Sequence, residues 1–261
     1  MPRFAANLTM MFGEWSFLDR FAAARDAGFT SVEYLFPYDH TPDEVGGALS
    51  RAGLTQALFN LPPGNWAAGE RGMAAFPARA EELAAAVETA VPYAAATGCR
   101  TLHLMAGLAE RADPAAQAAY RAAVIRTAER LAGLGITLVL EPINGRDMPG
   151  YFLNDFNYAA GLIRDLALPN LGLQFDIYHR QILHGDVIMG LRDMMPIVGH
   201  VQIAGVPDRH EPDSGELDAE VIFAELDRLG YAGFIGCEYR PRAGTVEGLG
   251  WFAPYRGAPS T

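Results

Sequence analysis

Four acidic or amide side chains in the second half of the sequence each fall at the end of a short apolar run. They are Glu141, Asp176, Gln202 and Glu238. Short apolar runs separated by helix-like stretches are typical of parallel strands in an α/β protein. The carboxyl ends of such strands are where these folds hold active sites. Three carboxylates in one mouth repel each other unless a cation offsets their charge, so the pattern predicts both acid/base groups and a metal site.

Glu141 and Glu238 are the candidate acid/base pair, because carboxyl groups with pKa values raised toward neutrality serve as general acids and bases. For either residue alone, a solvated carboxylate that merely ends a strand is the alternative. With Asp176 and Gln202 they offer oxygen donors, which suit Mg2+ or Mn2+ better than zinc. We therefore expect a divalent cation held by Glu141, Asp176, Gln202 and Glu238.

Two side chains near these strand ends are candidate substrate contacts. His179 follows Asp176 in Asp-Ile-Tyr-His, where it would polarise a substrate oxygen or, alternatively, start a helix with a local hydrogen bond. Asp147 follows Glu141 in the next loop and would accept a hydrogen bond from a substrate hydroxyl. His103 alternates with apolar residues in its own strand-like run. It would either face the barrel interior near the mouth or be a hydrogen-bonded core histidine, and the second is the favoured interpretation.

Two polar loops supply the other candidate substrate contacts. Arg209 lies in the turn-rich segment 205–216 and would grip a carboxylate through a bidentate pair, or else form ion pairs with its acidic neighbours. Arg71 and Glu70 lie in segment 64–72, which combines glycines with an aromatic residue. That composition is typical of a lid that closes over a small substrate, and Arg71 is its candidate carboxylate-binding residue.

The elements that must position these residues alternate along the whole chain. Strand-like runs are predicted at Arg3–Leu8, Ser31–Phe36, Leu54–Asn60, Arg100–Ala106, Ile136–Glu141, Leu171–Asp176, Gly199–Ile203 and Gly233–Glu238. Helices are predicted at Phe17–Ala27, Pro42–Ala52, Ala78–Thr97, Asp113–Leu134, Asn154–Leu166, Ile182–Met195 and Asp218–Leu229, with a short last helix at Thr245–Tyr255. Several of these helices end at a glycine, which is a common C-terminal cap.

Strand–helix alternation in 261 residues predicts an α/β fold, a (β/α)8 TIM barrel, as a single domain over residues 1–261. An open doubly wound sheet is the alternative, but it would carry a glycine-rich phosphate loop after its first strand, and segment 7–13 is not such a loop. The loops at 61–77 and 144–153 follow strands, so both should lie over the mouth of the barrel.

The charge and composition of the chain indicate which kinds of partner it binds. The net charge of −11 argues against nucleic acid, whose binding needs clustered Lys and Arg. No run is long enough for a membrane helix, and the N-terminus lacks a signal-peptide layout. The cysteines Cys99 and Cys237 lie in apolar runs and are expected to be buried thiols. These features predict a cytoplasmic protein that acts on a small molecule.

Several motifs together resemble one enzyme family. The opening Pro2-Arg-Phe-Ala-Ala-Asn-Leu-Thr-Met-Met-Phe-Gly-Glu14 is similar to that of hydroxypyruvate isomerases, as are Glu33-Tyr-Leu-Phe-Pro-Tyr-Asp39, Asn65-Trp-Ala-Ala-Gly-Glu-Arg-Gly72, Leu140-Glu-Pro-Ile-Asn144, Phe175-Asp-Ile-Tyr-His179 and Gly236-Cys-Glu-Tyr-Arg-Pro241. This family of xylose isomerase-like TIM barrels has a close relative, 2-oxo-tetronate isomerase. Segments 66–72 and 141–144 are more similar to the hydroxypyruvate branch, and segment 204–212 is more similar to the tetronate branch. The resemblance therefore leaves the substrate open between the two.

The resemblance implies interconversion of hydroxypyruvate and tartronate semialdehyde (2-hydroxy-3-oxopropanoate), a 2-oxo acid and a 2-hydroxy acid. It implies that Glu141 and Glu238 exchange the proton through an enediolate, and that Asp176 and Gln202 join them as metal ligands. His179 and Asp147 match substrate-contacting positions in related sugar epimerases. Those epimerases carry histidine where this chain has Gln202, and an amide oxygen is a weaker ligand, so the resemblance implies a loosely held metal or none required.

Two other functions belong to different classes. An endonuclease IV-like nuclease shares the superfamily, but it needs a histidine-rich zinc cluster and a basic groove. A sugar-binding barrel without catalysis is opposed by the paired glutamates, which an enolising enzyme requires. The oligomeric state stays open, because the C-terminal Phe252-Ala-Pro-Tyr-Arg256 would pack either on a second subunit of a homo-oligomer or on the bottom of the barrel.

Overall fold

A computed structural model describes residues 1–256 of the chain. Parallel strands follow one another in chain order and close into a barrel, in which β1 pairs with both β2 and β8. The strands are β1 Arg3–Asn7, β2 Ser31–Tyr34, β3 Thr55–Asn60, β4 Thr101–His103, β5 Thr137–Leu140, β6 Leu171–Asp176, β7 Val198–Ile203 and β8 Phe234–Cys237. The predicted TIM barrel is therefore confirmed, and each strand lies within one residue of, or inside, its predicted run.

Helices connect the strands and cover the outside of the barrel. They are α1 Arg20–Asp26, α2 Pro42–Ala52, α3 Ala80–Thr97, α4 Pro114–Ala132, α5 Phe156–Leu166, α6 Ile177–Leu183, α7 Val187–Met194 and α8 Ala219–Arg228. Local sequence explains their ends. The hydroxyl of Thr41 accepts from the backbone N–H of Glu44, whose side chain accepts from the N–H of Thr41, and this capping box satisfies donors that the first turn leaves free.

Two predicted helices differ from the structure. The stretch predicted as one helix at 182–195 contains the end of α6 and all of α7, because Gly185 and Asp186 both have positive φ values, +61° and +46°, which a continuous α-helix does not tolerate. The predicted last helix at 245–255 is a pair of 3-10 turns, Val246–Gly248 and Ala253–Tyr255. Gly250 and Pro254 interrupt it, and both residue types disfavour helix interiors.

The C-terminal segment packs under the barrel. The ring of Phe252 stacks on that of Phe29 with a centroid distance of 4.1 Å, and the ring of Tyr255 contacts Phe4 of β1 at 5.0 Å. This segment therefore covers the end of the barrel where β1 begins, opposite to the predicted site. Cys99 and Cys237 are buried free thiols, as predicted. Within residues 1–256, no helix combines the length and the hydropathy that a membrane crossing needs.

Candidate active site

A cavity of about 420 Å3 opens where the strands end. Its walls include six of the predicted site residues, namely Glu141, Glu238, His179, Asp147, Arg209 and Arg71. The loops predicted to lie over the mouth contribute Trp66 and Arg71 from one side and Asp147 and Met148 from the other. The parallel strands place these distant residues together because they all end at the same rim.

Arg209 lies among the carboxylates of the site. Its Nη2 is 3.3 Å from Oε1 of Glu238 and 3.4 Å from Oδ2 of Asp176, and its Nη1 is 3.0 Å from Oδ2 of Asp147. The residue is only 7% exposed, and its guanidinium lies 4.8 Å above the ring centre of Tyr178. A fixed positive charge is thus shared by the predicted metal ligands Glu238 and Asp176 and by the predicted substrate contact Asp147.

Burial controls the protonation of the carboxyl groups. Desolvation raises the pKa of Glu238 to about 8, although Arg209 opposes the shift. Desolvation likewise raises the pKa of Asp176 to about 6, again against Arg209. The pKa of Glu141 is raised well above its ordinary value by burial and then by the charges of Glu238 and Asp176. Glu238 can therefore exchange a proton in mildly alkaline solution, and burial together with the neighbouring carboxylates favours the protonated form of Glu141.

Glu141 has one oxygen free for a ligand. Its Oε1 is buried and makes no hydrogen bond to any residue in 1–256. Two histidine ring nitrogens lie near this carboxyl group. Nε2 of His179 is 3.7 Å from Oε1, and Nδ1 of His103 is 3.6 Å from Oε2. A buried acceptor without a partner is costly, so this oxygen is suited to accept a proton or a hydrogen bond from a bound molecule.

His179 is fixed by the residues around it. The α6 N-cap Asp176 accepts from the backbone N–H groups of Tyr178 and His179 through Oδ1. The ring nitrogen Nδ1 of His179 lies 2.6 Å from the side-chain nitrogen of Asn144, and Nε2 lies 3.6 Å from Oδ2 of Asp176. Burial lowers the pKa of His179 well below its usual value, and Arg209 adds to the effect, so the ring is neutral.

His103 differs from the sequence-based interpretation of a hydrogen-bonded core histidine. It lines the cavity, is 1% exposed, and neither ring nitrogen has a hydrogen-bond partner within the described residues. Burial lowers the pKa of His103 to about 3, so this ring is also neutral. A buried polar group without a partner calls for an explanation, and a bound substrate would supply the missing partner.

Gln202 points away from the cavity that it was predicted to line. Its Nε2 donates to Oε1 of Glu33 at 2.8 Å, and its Oε1 accepts from Nε2 of Gln174 at 2.6 Å. Glu33 also contacts Nε2 of His200 at 2.7 Å. On neighbouring β8 a side chain at Gly236 would collide with the Glu33 carboxylate. These residues form a buried polar layer inside the barrel. Within this layer, both the nitrogen and the oxygen of the Gln202 amide are hydrogen-bonded.

Glu70 and Arg71, the residues of the predicted lid segment 64–72, have separate surroundings. The carboxylate of Glu70 pairs with Nη1 of Arg79 at 2.9 Å and accepts from the backbone N–H of Asn65 at 2.6 Å, so the structure does not bring Glu70 into the cavity. Arg71 does line the cavity. Its guanidinium lies 3.8 Å from the ring centre of Trp66 and donates to the carbonyl oxygens of Trp66 and Glu70.

The four predicted ligands do not fit a divalent cation as a set in this arrangement. Oxygens of Glu141, Asp176 and Glu238 have the right chemistry for Mg2+ or Mn2+. However, the Gln202 oxygen is held by Gln174, and Arg209 lies 3.3–3.4 Å from oxygens of Glu238 and Asp176. A cation there would have to displace the guanidinium and turn the amide. The ligand atoms that do cluster, within 4.8 Å, belong to Glu141, Asp176 and His179.

Several residues that line or support the site were not predicted from the sequence. Asn144 contacts His179, and the arginines Arg146 and Arg240 line the cavity. Neither of these guanidinium groups makes a hydrogen bond or an ion pair with another residue in 1–256. Asn144 and Arg146 lie in the loop that begins with Glu141, so their nearness to a predicted catalytic residue was the available signal; Arg240 follows Glu238 in the same way.

The chain is similar over nearly its whole length to several known proteins. The profile of the family described as "Xylose isomerase-like TIM barrel" matches residues 21–255. The chain is 52% identical to the 2-oxo-tetronate isomerase of Cupriavidus necator, with 98% of this chain and 100% of that protein covered. It is 39% identical to the hydroxypyruvate isomerase of Escherichia coli, again with 98% of this chain and 100% of that protein covered. A crystal structure from Brucella melitensis, named as an AP endonuclease of family 2, is 50% identical, has a TM-score of 0.96, and covers 98% of this chain and 100% of its own.

Proposed function

The chain belongs to the xylose isomerase-like TIM barrel family, and from that premise we propose that it is an isomerase of the hydroxypyruvate and 2-oxo-tetronate isomerase kind. The observation that carries the proposal is the pair of buried carboxyl groups, Glu141 and Glu238, at one cavity. Both have raised pKa values, and a neutral histidine, His179, lies beside them. Proton transfer next to a carbonyl group requires a general acid/base and a hydrogen-bond donor to the developing negative charge, and these residues can supply both.

The proposed reaction moves the carbonyl group of a short 2-oxo acid from C2 to C3. One glutamate, as carboxylate, takes the proton from C3, which carries the hydroxyl group, and the electron pair forms an enediolate across C2 and C3. A proton then returns to C2 from the same or the opposite glutamate, and the proton of the C3 hydroxyl leaves for the C2 oxygen. For hydroxypyruvate the product is tartronate semialdehyde, with no net gain or loss of atoms.

The arginines of the cavity suit an anionic substrate. Arg209 is already engaged by three protein carboxylates, so it is poorly placed to bind a substrate carboxylate as well. Arg71, Arg146 and Arg240 also line the cavity, and guanidinium groups bind carboxylates through paired hydrogen bonds. We assign the substrate carboxylate to this second group of arginines, and Arg209 to holding Asp147, Asp176 and Glu238.

The four-carbon acid is the favoured substrate, with hydroxypyruvate as the second. The relative at 52% identity is named for 2-oxo-tetronate, whereas the Escherichia coli relative named for hydroxypyruvate is 39% identical. A cavity of about 420 Å3 is within the range that holds much larger ligands, so it has room for the additional hydroxymethyl group. The chemistry at C2 and C3 is the same for both acids.

Nuclease activity is a weaker alternative. It is considered because the similar Brucella melitensis protein is named as an endonuclease. The net charge of −11 opposes a DNA-binding surface, since phosphate contacts need a basic patch. Incubation with abasic-site DNA in the presence of zinc tests this function directly. Cleavage that depends on Glu141 and exceeds isomerase turnover would replace the present proposal.

The decisive experiment is proton NMR of the purified protein with 2-oxo-tetronate or hydroxypyruvate in D2O. The expected result is the 3-oxo isomer with deuterium at C2, formed faster with the four-carbon acid. Parallel samples treated with EDTA, and then given Mg2+ or Mn2+, measure the need for a metal. Deuterium exchange without product would mean enolisation alone, and neither product nor exchange with either acid would favour a sugar-binding barrel without catalysis.

A further inference from the structure

The side chain of Asn144 has a fixed orientation. It is fully buried, and its Oδ1 accepts from the backbone N–H groups of Arg146 at 2.9 Å and Asp147 at 3.0 Å. An amide oxygen that accepts two backbone donors cannot be exchanged with the amide nitrogen, which has no lone pair to offer. The end of Asn144 that faces His179 is therefore its NH2 group.

Two donors consequently point at the same ring nitrogen. The side-chain nitrogen of Asn144 lies 2.6 Å from Nδ1 of His179, and the backbone N–H of Asn144 donates to Nδ1 at 3.3 Å. A ring nitrogen that faces two N–H donors must carry the lone pair. A neutral imidazole has a single N–H, so the proton resides on Nε2.

The other side of the ring faces the reacting groups. Nε2 lies 3.6 Å from Oδ2 of Asp176 and 3.7 Å from Oε1 of Glu141, both acceptors when ionised. A guanidinium nitrogen of Arg209 lies 3.5 Å from Nε2, which is too long for an effective hydrogen bond. The 2.6 Å contact on Nδ1 therefore decides the tautomer.

We propose that Asn144 is a positioning residue that holds His179 as its Nε2–H tautomer, so that the ring donates a hydrogen bond to the substrate oxygen on which the enediolate charge develops. The inference rests on the proposed isomerisation and adds the group that stabilises its intermediate. No proton is transferred to or from His179; the ring acts as a neutral donor, consistent with the burial that lowers its pKa.

The same geometry separates His179 from the metal-ligand candidates. Its ring nitrogen belongs to the cluster with Glu141 and Asp176, but a histidine that binds a metal through one nitrogen donates the N–H of the other nitrogen to an acceptor. Here the other nitrogen faces donors. The structure thus assigns His179 to the substrate and leaves the carboxylates as the oxygen ligands of any cation.

The first test reads the tautomer without any substrate. Two-bond 1H–15N correlation spectra of the 15N-labelled protein distinguish protonated from unprotonated ring nitrogens, and a His179→Gln variant identifies the signals of His179. We expect a protonated Nε2 and an unprotonated Nδ1 at neutral pH. A protonated Nδ1 in the parent protein overturns the proposal, whether or not the protein proves to be an isomerase.

The second test inverts the hydrogen bond. In Asn144→Asp the oxygen that accepts from Arg146 and Asp147 is kept, while a carboxylate oxygen replaces the NH2 group. The new carboxylate oxygen favours a proton on Nδ1, so that Nδ1–H can donate to it. This charge-assisted hydrogen bond is about twice as strong as a neutral one, so it should outweigh the contact between Nδ1 and the backbone N–H of residue 144. Asn157→Asp, on the exposed first turn of α5, is the matched control for the added negative charge.

The expected result for Asn144→Asp is an inverted tautomer and a fall in kcat by ~10²–10³, the usual effect of losing one donor to a developing oxyanion. KM should change much less, and Asn157→Asp should retain the parent kcat. Inversion of the tautomer without loss of kcat would refute the role of His179. Loss of kcat with an unchanged tautomer would show that Asn144 acts only through folding, which circular dichroism and thermal unfolding of the variant would also reveal.

Discussion

Nη2 of Arg209 lies 3.3 Å from Oε1 of Glu238, so a permanent positive charge contacts one of the two candidate acid/base carboxyl groups. The arginine lies on the loop after β7, and the glutamate directly follows β8. Arg209 also donates, through Nε, to the backbone carbonyl of Glu238 at 3.3 Å. This pairing offsets the repulsion among the buried carboxylates with a positive charge that the protein itself supplies.

Replacement of the paired glutamates should remove most of the activity. Glu141→Gln and Glu238→Gln are each expected to lower kcat by ~10²–10⁴, because a carboxamide keeps the shape of the side chain but cannot carry the proton. Steady-state kinetics with both acids measure the effect. Glu129→Gln on the exposed side of α4 is the control, and a kcat within a few-fold of the parent for either catalytic variant would refute its assignment.

The pH dependence should follow Glu238. Desolvation raises the pKa of Glu238 to about 8, so its carboxylate, the form that can act as a base, is scarce at pH 6 and becomes abundant above pH 8. In EDTA-treated protein, kcat/KM is expected to rise roughly tenfold per pH unit below this pKa and then to level off. A flat profile between pH 6 and 8 would show that the ionisation of Glu238 does not control the rate in this range and would contradict the prediction.

Loss of Arg209 should destabilise the fold in a pH-dependent way. Arg209→Gln leaves buried carboxylates without their cation, a change that costs about 3–5 kcal/mol of unfolding free energy when one partner of a buried pair is removed. The loss should be larger at pH 8 than at pH 5. Asp176 has a pKa of about 6 even beside Arg209, so at pH 5 it takes up a proton and no longer needs the cation.

Urea unfolding at both pH values measures this loss. Arg121→Gln is the control, since Arg121 pairs with Asp165 at the surface, where the two side chains are 46% and 73% exposed. An ion pair that is exposed on both sides contributes little to stability. An equal loss for Arg209→Gln at pH 5 and pH 8 would contradict the role of Arg209 as the balancing charge.

Two buried histidines should respond in opposite ways to the same substitution. His103→Leu removes a ring whose nitrogens have no hydrogen-bond partner in the described part of the chain, so Tm should stay level or rise while kcat/KM falls. His200→Leu removes a ring that lies 2.7 Å from the buried Glu33 carboxylate, and should cost about 1–3 kcal/mol of stability.

Thermal unfolding and steady-state kinetics of both variants distinguish the two roles. A marked fall in Tm for His103→Leu, as large as that for His200→Leu, would mean that His103 stabilises the core. Unchanged kcat/KM in His103→Leu would mean that its ring nitrogens do not contact the substrate.

The sequence by itself determined the barrel and the positions of its main acidic groups. Apolar runs, capping residues and glycines after helices are local signals, and they placed every strand inside its predicted run or within one residue of it. Since parallel strands of a barrel all end at one rim, the order of the runs was sufficient to bring Glu141, Asp176 and Glu238 together. The site could be anticipated to this extent without any knowledge of side-chain contacts.

Only the tertiary structure decided which partner each polar side chain takes. Arg209 and Asp147 are separated by 62 positions in the chain, Gln202 and Glu33 by 169, and no local pattern specifies such pairs. Gln202 turned to the buried polar layer because hydrogen bonds there satisfy groups that would otherwise be buried alone, whereas the partly exposed Glu70 pairs with Arg79. The choice of partner depends on the whole packed barrel, since every buried donor and acceptor competes for the same few neighbours.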